Sequence, residues 1–255
     1  EAFECETDLT GNVYLTGVTT SDTGITAAGH QSSRDSLKDI FLVKFNSSGS
    51  RQWATYFGGS DYEEVYSIAA DGDGNVYLTG LTTSSSGIAT SFAYQTTLGG
   101  DNDAFLAKFG GDGAILWSTY IGGSSDDVAY SLALDGNDYV YVAGFTKGDA
   151  GIGTSGTHQP TTSGFDAFLV KFNSSGTLQW GTYYGGSSEE IGYSVKIDKY
   201  GYVYLGGTTG SSDGIATDSV YQGTYGGSTD GFLAKFNGNG VRQWGTYYGG
   251  SGEEY

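Results

Sequence analysis

The residues best placed to do chemistry are carboxylates. An acidic pair follows each of four Gly-Gly-Ser segments: Glu63-Glu64, Asp126-Asp127, Glu189-Glu190 and Glu253-Glu254. Crowded carboxylates repel one another unless a hard cation sits among them, and Ca²⁺ accepts such oxygen ligands in flexible geometry. If the strand that follows each pair lines an axis, these groups, with Glu1 nearby, form a rough ring at one mouth of a channel. The plainer reading makes them solvated turn residues, or acceptors for backbone N–H groups of the adjacent loop. Paired carboxylates also suit polysaccharide cleavage, but like pairs in all four copies argue for architecture, since a catalytic site breaks the symmetry.

A second column alternates His and Tyr, each followed by Gln: His30-Gln31, Tyr94-Gln95, His158-Gln159 and Tyr221-Gln222. Both histidines of the chain occupy it. Tyr in half the copies is hard to reconcile with a catalytic or metal role. The column reads either as rings plugging a long loop while Gln ties down backbone, or as a carbohydrate platform. In the second case an aromatic face meets sugar CH groups and an amide meets hydroxyls. Weak copies on one face would gain from multivalency.

Other candidates carry less. Asp71-Gly72-Asp73-Gly74-Asn75 has the look of a Ca²⁺ loop, but position 82 is Thr and the flanks read as strands, so it is a hairpin turn. Asp39, Asp103, Asp166 and Asp230, each five residues before a Lys (Lys44, Lys108, Lys171 and Lys235), read as structural: Asp caps the strand and Lys reaches a neighbouring acid. There is no His-Glu-x-x-His and no Cys/His metal spacing. The chain is therefore expected not to be an enzyme and to require no cofactor, with Ca²⁺ the one ion its acids suit.

These columns are positioned by a repeat. Trp53, Trp117, Trp180 and Trp244 are the chain's 4 Trp, and each opens a Trp-x-Thr-Tyr-x-Gly-Gly-Ser segment. Their spacing of about 64 residues, with no helical pattern inside it, signals a repeat architecture. In the second copy, strands are predicted over 65–71, 75–83, 103–109 and 114–121, joined by Gly/Asp turns that supply the positive φ of tight hairpins. Both faces of these strands carry apolar or aromatic residues, as in a small sheet packed between other sheets. The expected fold is all-β: a four-bladed β-propeller with four antiparallel strands per blade, forming one domain over 1–255. The blades run over about 1–59, 60–123, 124–186 and 187–255. The 12 residues from Trp244 onward and the 52 before Trp53 complete one more period, so four units are expected to close a ring.

Composition narrows the function classes. Gly 45 and Tyr 21 with Pro 1 is a turn-rich β composition. A net charge of −18 argues against nucleic acid and against anionic membrane surfaces, and favours solubility and cation accumulation. No apolar run is long enough for a membrane-spanning helix, so no membrane insertion is expected, and no signal peptide stands in this numbering. The absence of Met suggests a processed chain or a segment of a longer one. The lone Cys5 falls where Ile68, Leu132 and Val195 fall, and is expected to be a small buried apolar residue.

The segments Asp-Ala-Phe-Leu-Val-Lys-Phe-Asn-Ser-Ser-Gly (166–176), Trp-Gly-Thr-Tyr-Tyr-Gly-Gly-Ser (180–187) and Asp-Gly-Asp-Gly-Asn-Val-Tyr-Leu-Thr-Gly (71–80) resemble the bacterial SBBP-type β-propeller repeat. Gly-Ile-Ala-Thr at 87–90 and 214–217 is similar to versions in secreted Bacteroidetes proteins. The resemblance implies export and a secreted or cell-surface setting, and implies no reaction. The expected function is a binding or adhesion module, glycan-binding through the loops at 20–38, 84–102, 146–165 and 209–229. The alternative is a structural spacer or assembly subunit of a larger surface protein with a cation in its channel; a polysaccharide-cleaving enzyme ranks below both. Expected partners are a glycan or another surface protein.

Overall fold

The computed structural model describes residues 1–25, 28–34, 38–149, 151–162 and 164–254. The loops at 20–38 and 146–165 each include residues outside that set. Sixteen strands form four sheets, each an antiparallel meander of four consecutive strands. The first sheet is β1 (Ala2–Thr7), β2 (Val13–Thr19), β3 (Asp39–Phe45) and β4 (Arg51–Phe57). The second is β5 (Glu63–Ala70), β6 (Val76–Thr82), β7 (Asp103–Phe109) and β8 (Ile115–Ile121). The third is β9 (Asp127–Leu134), β10 (Val140–Thr146), β11 (Asp166–Phe172) and β12 (Leu178–Tyr184). The fourth is β13 (Glu190–Ile197), β14 (Val203–Thr209), β15 (Asp230–Phe236) and β16 (Arg242–Tyr248). These are the blade sheets of a propeller-type repeat fold. The chain divides into two compact units, Glu1–Ile121 and Gly122–Tyr255, of two sheets each. Among the described residues no helix is long and apolar enough to cross a membrane.

Turn chemistry explains the meander. Asp71 Oδ1 accepts the backbone N–H of Asp73 and Asn75 at 3.1 and 2.8 Å, and Gly74 at φ 79° closes the turn. Asp8, Asp135 and Asp198 make the same bonds in the other sheets. These loops are hairpin turns, as expected.

Within each unit one sheet receives the next face to face. In the first unit Ile40, Leu42, Trp53 and Phe57 pack with Val65, Ile68, Leu78, Phe105 and Phe109 in one buried cluster. In the second, Leu169, Trp180 and Tyr184 pack with Val195, Leu205, Phe232 and Phe236. A Trp clamps each pair. Trp53 Nε1 donates to Gly111 O, and Trp180 Nε1 to Gly238 O, both at 2.9 Å. Each indole lies over a glycine with positive φ (Gly113, +84°; Gly240, +76°), where a Cβ would stand 2.8–2.9 Å from ring carbons. Trp53→Phe keeps an aromatic ring and removes the indole donor, leaving Gly111 O to Lys44 Nζ at 3.3 Å, so urea unfolding should show a loss of about 1 kcal/mol. An unchanged midpoint would mean the bond is ornamental.

The first strand of every sheet carries a bulge opposite a glycine of the second strand: Gly17, Gly80, Gly144 or Gly207. The bulged residue is aromatic each time: Phe3, Tyr66, Tyr130 and Tyr193. One expectation fails here. Cys5 is exposed, not buried. β1 is exposed over nearly its whole length, so Cys5 meets solvent where Ile68, Leu132 and Val195 are covered.

Candidate functional site

The acidic pairs do not behave as equals. Counting from Gly-Gly, Glu63 matches Asp127, Glu190 and Glu254, which leaves Tyr62 opposite Asp126, Glu189 and Glu253. Glu64 thus stands one residue out of register with the second acid of the other pairs, a correction to the expected column. Glu63 is fully buried and accepts from Thr82 Oγ1 at 2.7 Å, Gly59 N at 3.1 Å and Ser84 Oγ. Glu190 repeats this with Thr209 Oγ1 and Gly186 N, at 2.5 and 2.9 Å. Asp127 accepts Gly123 N at 2.8 Å, and Glu254 accepts Gly250 N at 3.1 Å. Burial pushes the Glu63 carboxyl up to about 7 against the pull of those hydrogen bonds, and raises Glu190 in the same way.

A buried Asp faces three of these acids, Glu63, Glu190 and Glu254. A Cβ on Gly58 would lie 2.5 Å from Glu63 Oε2 and 2.8 Å from Asp39 Cγ. Gly185 stands in the same way between Asp166 and Glu190, and Gly249 between Asp230 and Glu254. The Gly-Gly doublet is therefore bare because two carboxyls close over it. One proton between two such acids relieves their repulsion.

The Gln of the aromatic column completes this arrangement. Gln95 Nε2 donates to Asp103 at 2.8 Å, and Gln31, Gln159 and Gln222 reach Asp39, Asp166 and Asp230 at 3.3–3.5 Å. Gln159 Oε1 and Gln222 Oε1 accept the N–H of Gly185 and Gly249. These amides point inward rather than toward a ligand. The rings diverge. His30 lies 6.4 Å from Phe109, and His158 lies 5.7 Å from Tyr184. Burial, with Arg242 nearby, pushes His158 down to about 4. Tyr94 is partly exposed, while Tyr221 is 82% exposed and stacks on Tyr248 at 6.0 Å.

The outer acids meet cations of the chain itself. Lys38 Nζ bonds Glu64 at 3.0 Å, 4.7 Å above the Tyr62 ring. Partial burial works against it, but the Tyr62 and Tyr66 hydroxyls and Lys38 hold Glu64 below the usual carboxylate range. Asp126 pairs with Lys147 at 2.8 Å, and Glu189 and Glu253 are exposed. Among the described residues no three or more His, Cys, Asp or Glu gather as a metal-ligand set.

Sequence reasoning missed one feature, a groove of about 750 Å³ on the fourth sheet, lined by Asp218, Tyr221, Leu233, Gln243, Trp244 and Thr246 among others. Trp244 lies in it, whereas Trp53 and Trp180 are only 4% and 7% exposed. The repeat makes the Trp copies look alike, so no local signal distinguishes this one.

A family model described as a beta-propeller repeat, SBBP, matches residues 52–88 and 116–149. These two stretches carry the SBBP-type repeat. Both matched stretches run from the Trp strand through the Gly-Gly turn into the next sheet's first hairpin, and the first of them includes Gly58, over which the Asp39 and Glu63 carboxyls close. The chain is 29% identical over 175 residues to a regulatory protein, FlaEY, of Caulobacter vibrioides, covering 68% of the chain and 18% of that protein. It is 24% identical over 200 residues to an uncharacterized WD repeat-containing protein of Acanthamoeba polyphaga mimivirus, covering 67% of the chain and 14% of that protein. The chain thus spans under a fifth of the length of either relative. A solved structure of a protein of unknown function from Bacteroides caccae aligns over 97% of this chain and 81% of its own, at 12% identity. Its TM-score of 0.31 is too low to bear on the arrangement of the sheets.

Proposed function

We propose that this repeat protein is a non-catalytic binding module, secreted or on the cell surface, that takes neutral glycans through its long second-to-third-strand loops. The groove at Trp244 carries this reading. Its rings suit the CH faces of a sugar, while Gln243, Thr246, Thr217 and Asp218 suit its hydroxyls. The charge of −18 selects against acidic sugars. The setting rests on the resemblance to secreted versions of the repeat. The buried acids accept hydroxyls and N–H groups of their own sheets, which supports a structural rather than a catalytic use of them.

An array of neutral oligosaccharides, followed by calorimetry on a hit, tests the reading. Trp244→Ala should weaken binding about tenfold, the size of one lost aromatic platform. Tyr221→Ala should weaken it by less. An array without hits, or a hit indifferent to Trp244→Ala, sinks the glycan reading. The same open face also favours the second reading, a spacer or assembly subunit, because Trp53 and Trp180 use their copies of it to hold a hairpin turn of the next sheet. Sedimentation showing self-association that Trp244→Ala abolishes would select that reading.

A further inference from the structure

We propose that a second cavity, on the fourth sheet at Glu189 and Tyr193, binds a primary ammonium group, as on an alkyl amine or a lysine side chain. The cavity holds about 440 Å³, and Glu189, Tyr193, Thr208, Gly210 and Thr229 are among its walls. Two copies within one unit differ at this place. On the third sheet the corresponding residues are Asp126, Tyr130, Phe145, Lys147 and Phe165. There the volume is filled from within. Lys147 Nζ bonds Asp126 at 2.8 Å and lies 6.0 Å from the Phe165 ring, while Phe145 packs 4.8 Å from Phe165 and 5.9 Å from Tyr130.

On the fourth sheet the acid and the Tyr remain. The three large residues Phe145, Lys147 and Phe165 become Thr208, Gly210 and Thr229, and the cavity is what they leave. The first unit shows the same chemistry, with Lys38 held between Glu64 and the Tyr62 ring. Twice, then, the protein answers an acid beside aromatic rings with its own ammonium; at Glu189 no Lys or Arg among the described residues does so.

The wall chemistry fits an ammonium better than Ca²⁺. A single carboxylate falls short of the six to eight oxygens Ca²⁺ seeks. The Tyr193 ring, 45% exposed and 5.2 Å from Tyr130, offers a π face to a cation. The hydroxyls of Ser188, Thr208, Ser228 and Thr229 are acceptors for ammonium hydrogens. With one half-exposed ion pair and one ring, the expected affinity is weak, with a Kd of about 1 mM.

The test is an NMR titration of the full chain with n-butylamine at neutral pH, following the amides of Tyr193 and Gly210. Saturable shifts are expected, weakened about tenfold by Glu189→Gln and clearly by Tyr193→Leu. Gly210→Lys is the decisive variant. It rebuilds the Lys147 arrangement, and the position tolerates a side chain: φ is not positive and the nearest atom to an added Cβ is Ser188 Cβ at 3.5 Å. It should abolish amine binding and leave the Tm unchanged or higher. Nα-acetyl-lysine amide in place of butylamine separates the two sources. Binding by either supports the proposal. No saturable shift up to about 100 mM, shifts that Gly210→Lys leaves intact, or the same shifts from CaCl₂ in place of the amine would overturn it.

Discussion

Gly144→Ala should melt well below the wild-type chain. Gly144 faces the bulge at Tyr130, and a Cβ there would fall on the carbonyl oxygen of Val128, with Ala129 Cα 2.8 Å away. Both obstacles are backbone of the neighbouring strand, so relief requires the bulge itself to move. Overpacking of this kind costs about 3 kcal/mol, which in a chain of this size lowers Tm by about 10 °C. Gly136→Ala is the control, because nothing stands within 4 Å of its Cβ position and its φ is not positive. Calorimetry showing the two variants within a degree or so of each other would remove the bulge from its structural role. Gly17, Gly80 and Gly207 meet the carbonyls of Glu1, Glu64 and Ile191 in the same way, so the effect should repeat from sheet to sheet.

The second large effect is in pH. Glu63 titrates at about 7 in the fold against 4.5 when free. The folded chain therefore keeps a proton that the unfolded chain releases between those values. The resulting stability is fully present below pH 4.5 and is lost as pH rises through 7. Its size is about 3 kcal/mol, and because Glu63 is out of contact with solvent, screening does not reduce it much. Glu63→Gln holds the neutral form at every pH, with its amide able to donate toward Asp39. The variant should overtake the wild type in urea unfolding between pH 5 and 8, the gap widening with pH. His158, pushed down to about 4, adds a rise with pH over part of that range, but it is present in both chains and cancels in the difference. Glu190→Gln should act in the same direction. A gap that stays constant from pH 5 to 8 would mean that Glu63 is ionised in the fold.

Much of the repeat was legible without coordinates. The Trp spacing located four sheets, and the strands predicted for the second copy differ from β5–β8 by at most two residues at an end. The Asp turns followed from side-chain acceptors that bond their own backbone. The sites were less legible. Four acid pairs looked alike as letters, yet the count from Gly-Gly puts Tyr62 in the place of Asp126 and moves Glu64 to the other face of its strand. The Gln column read either as amides tying down backbone or as amides open to a sugar, and each amide turns inward to an Asp.

Strand alternation, turn residues and a period of about 64 residues are local properties, set by backbone preference and side-chain polarity within a few positions, and the sequence by itself determined them. Which Trp is covered depends on what another sheet places alongside, some sixty residues away in the chain, while which acid is buried and which cavity stands open depend on the side chains that neighbouring strands and loops bring together. Exposure of Cys5, the proton on Glu63 and the space beside Glu189 were decided there, because desolvation and packing are set by neighbours in space rather than in sequence.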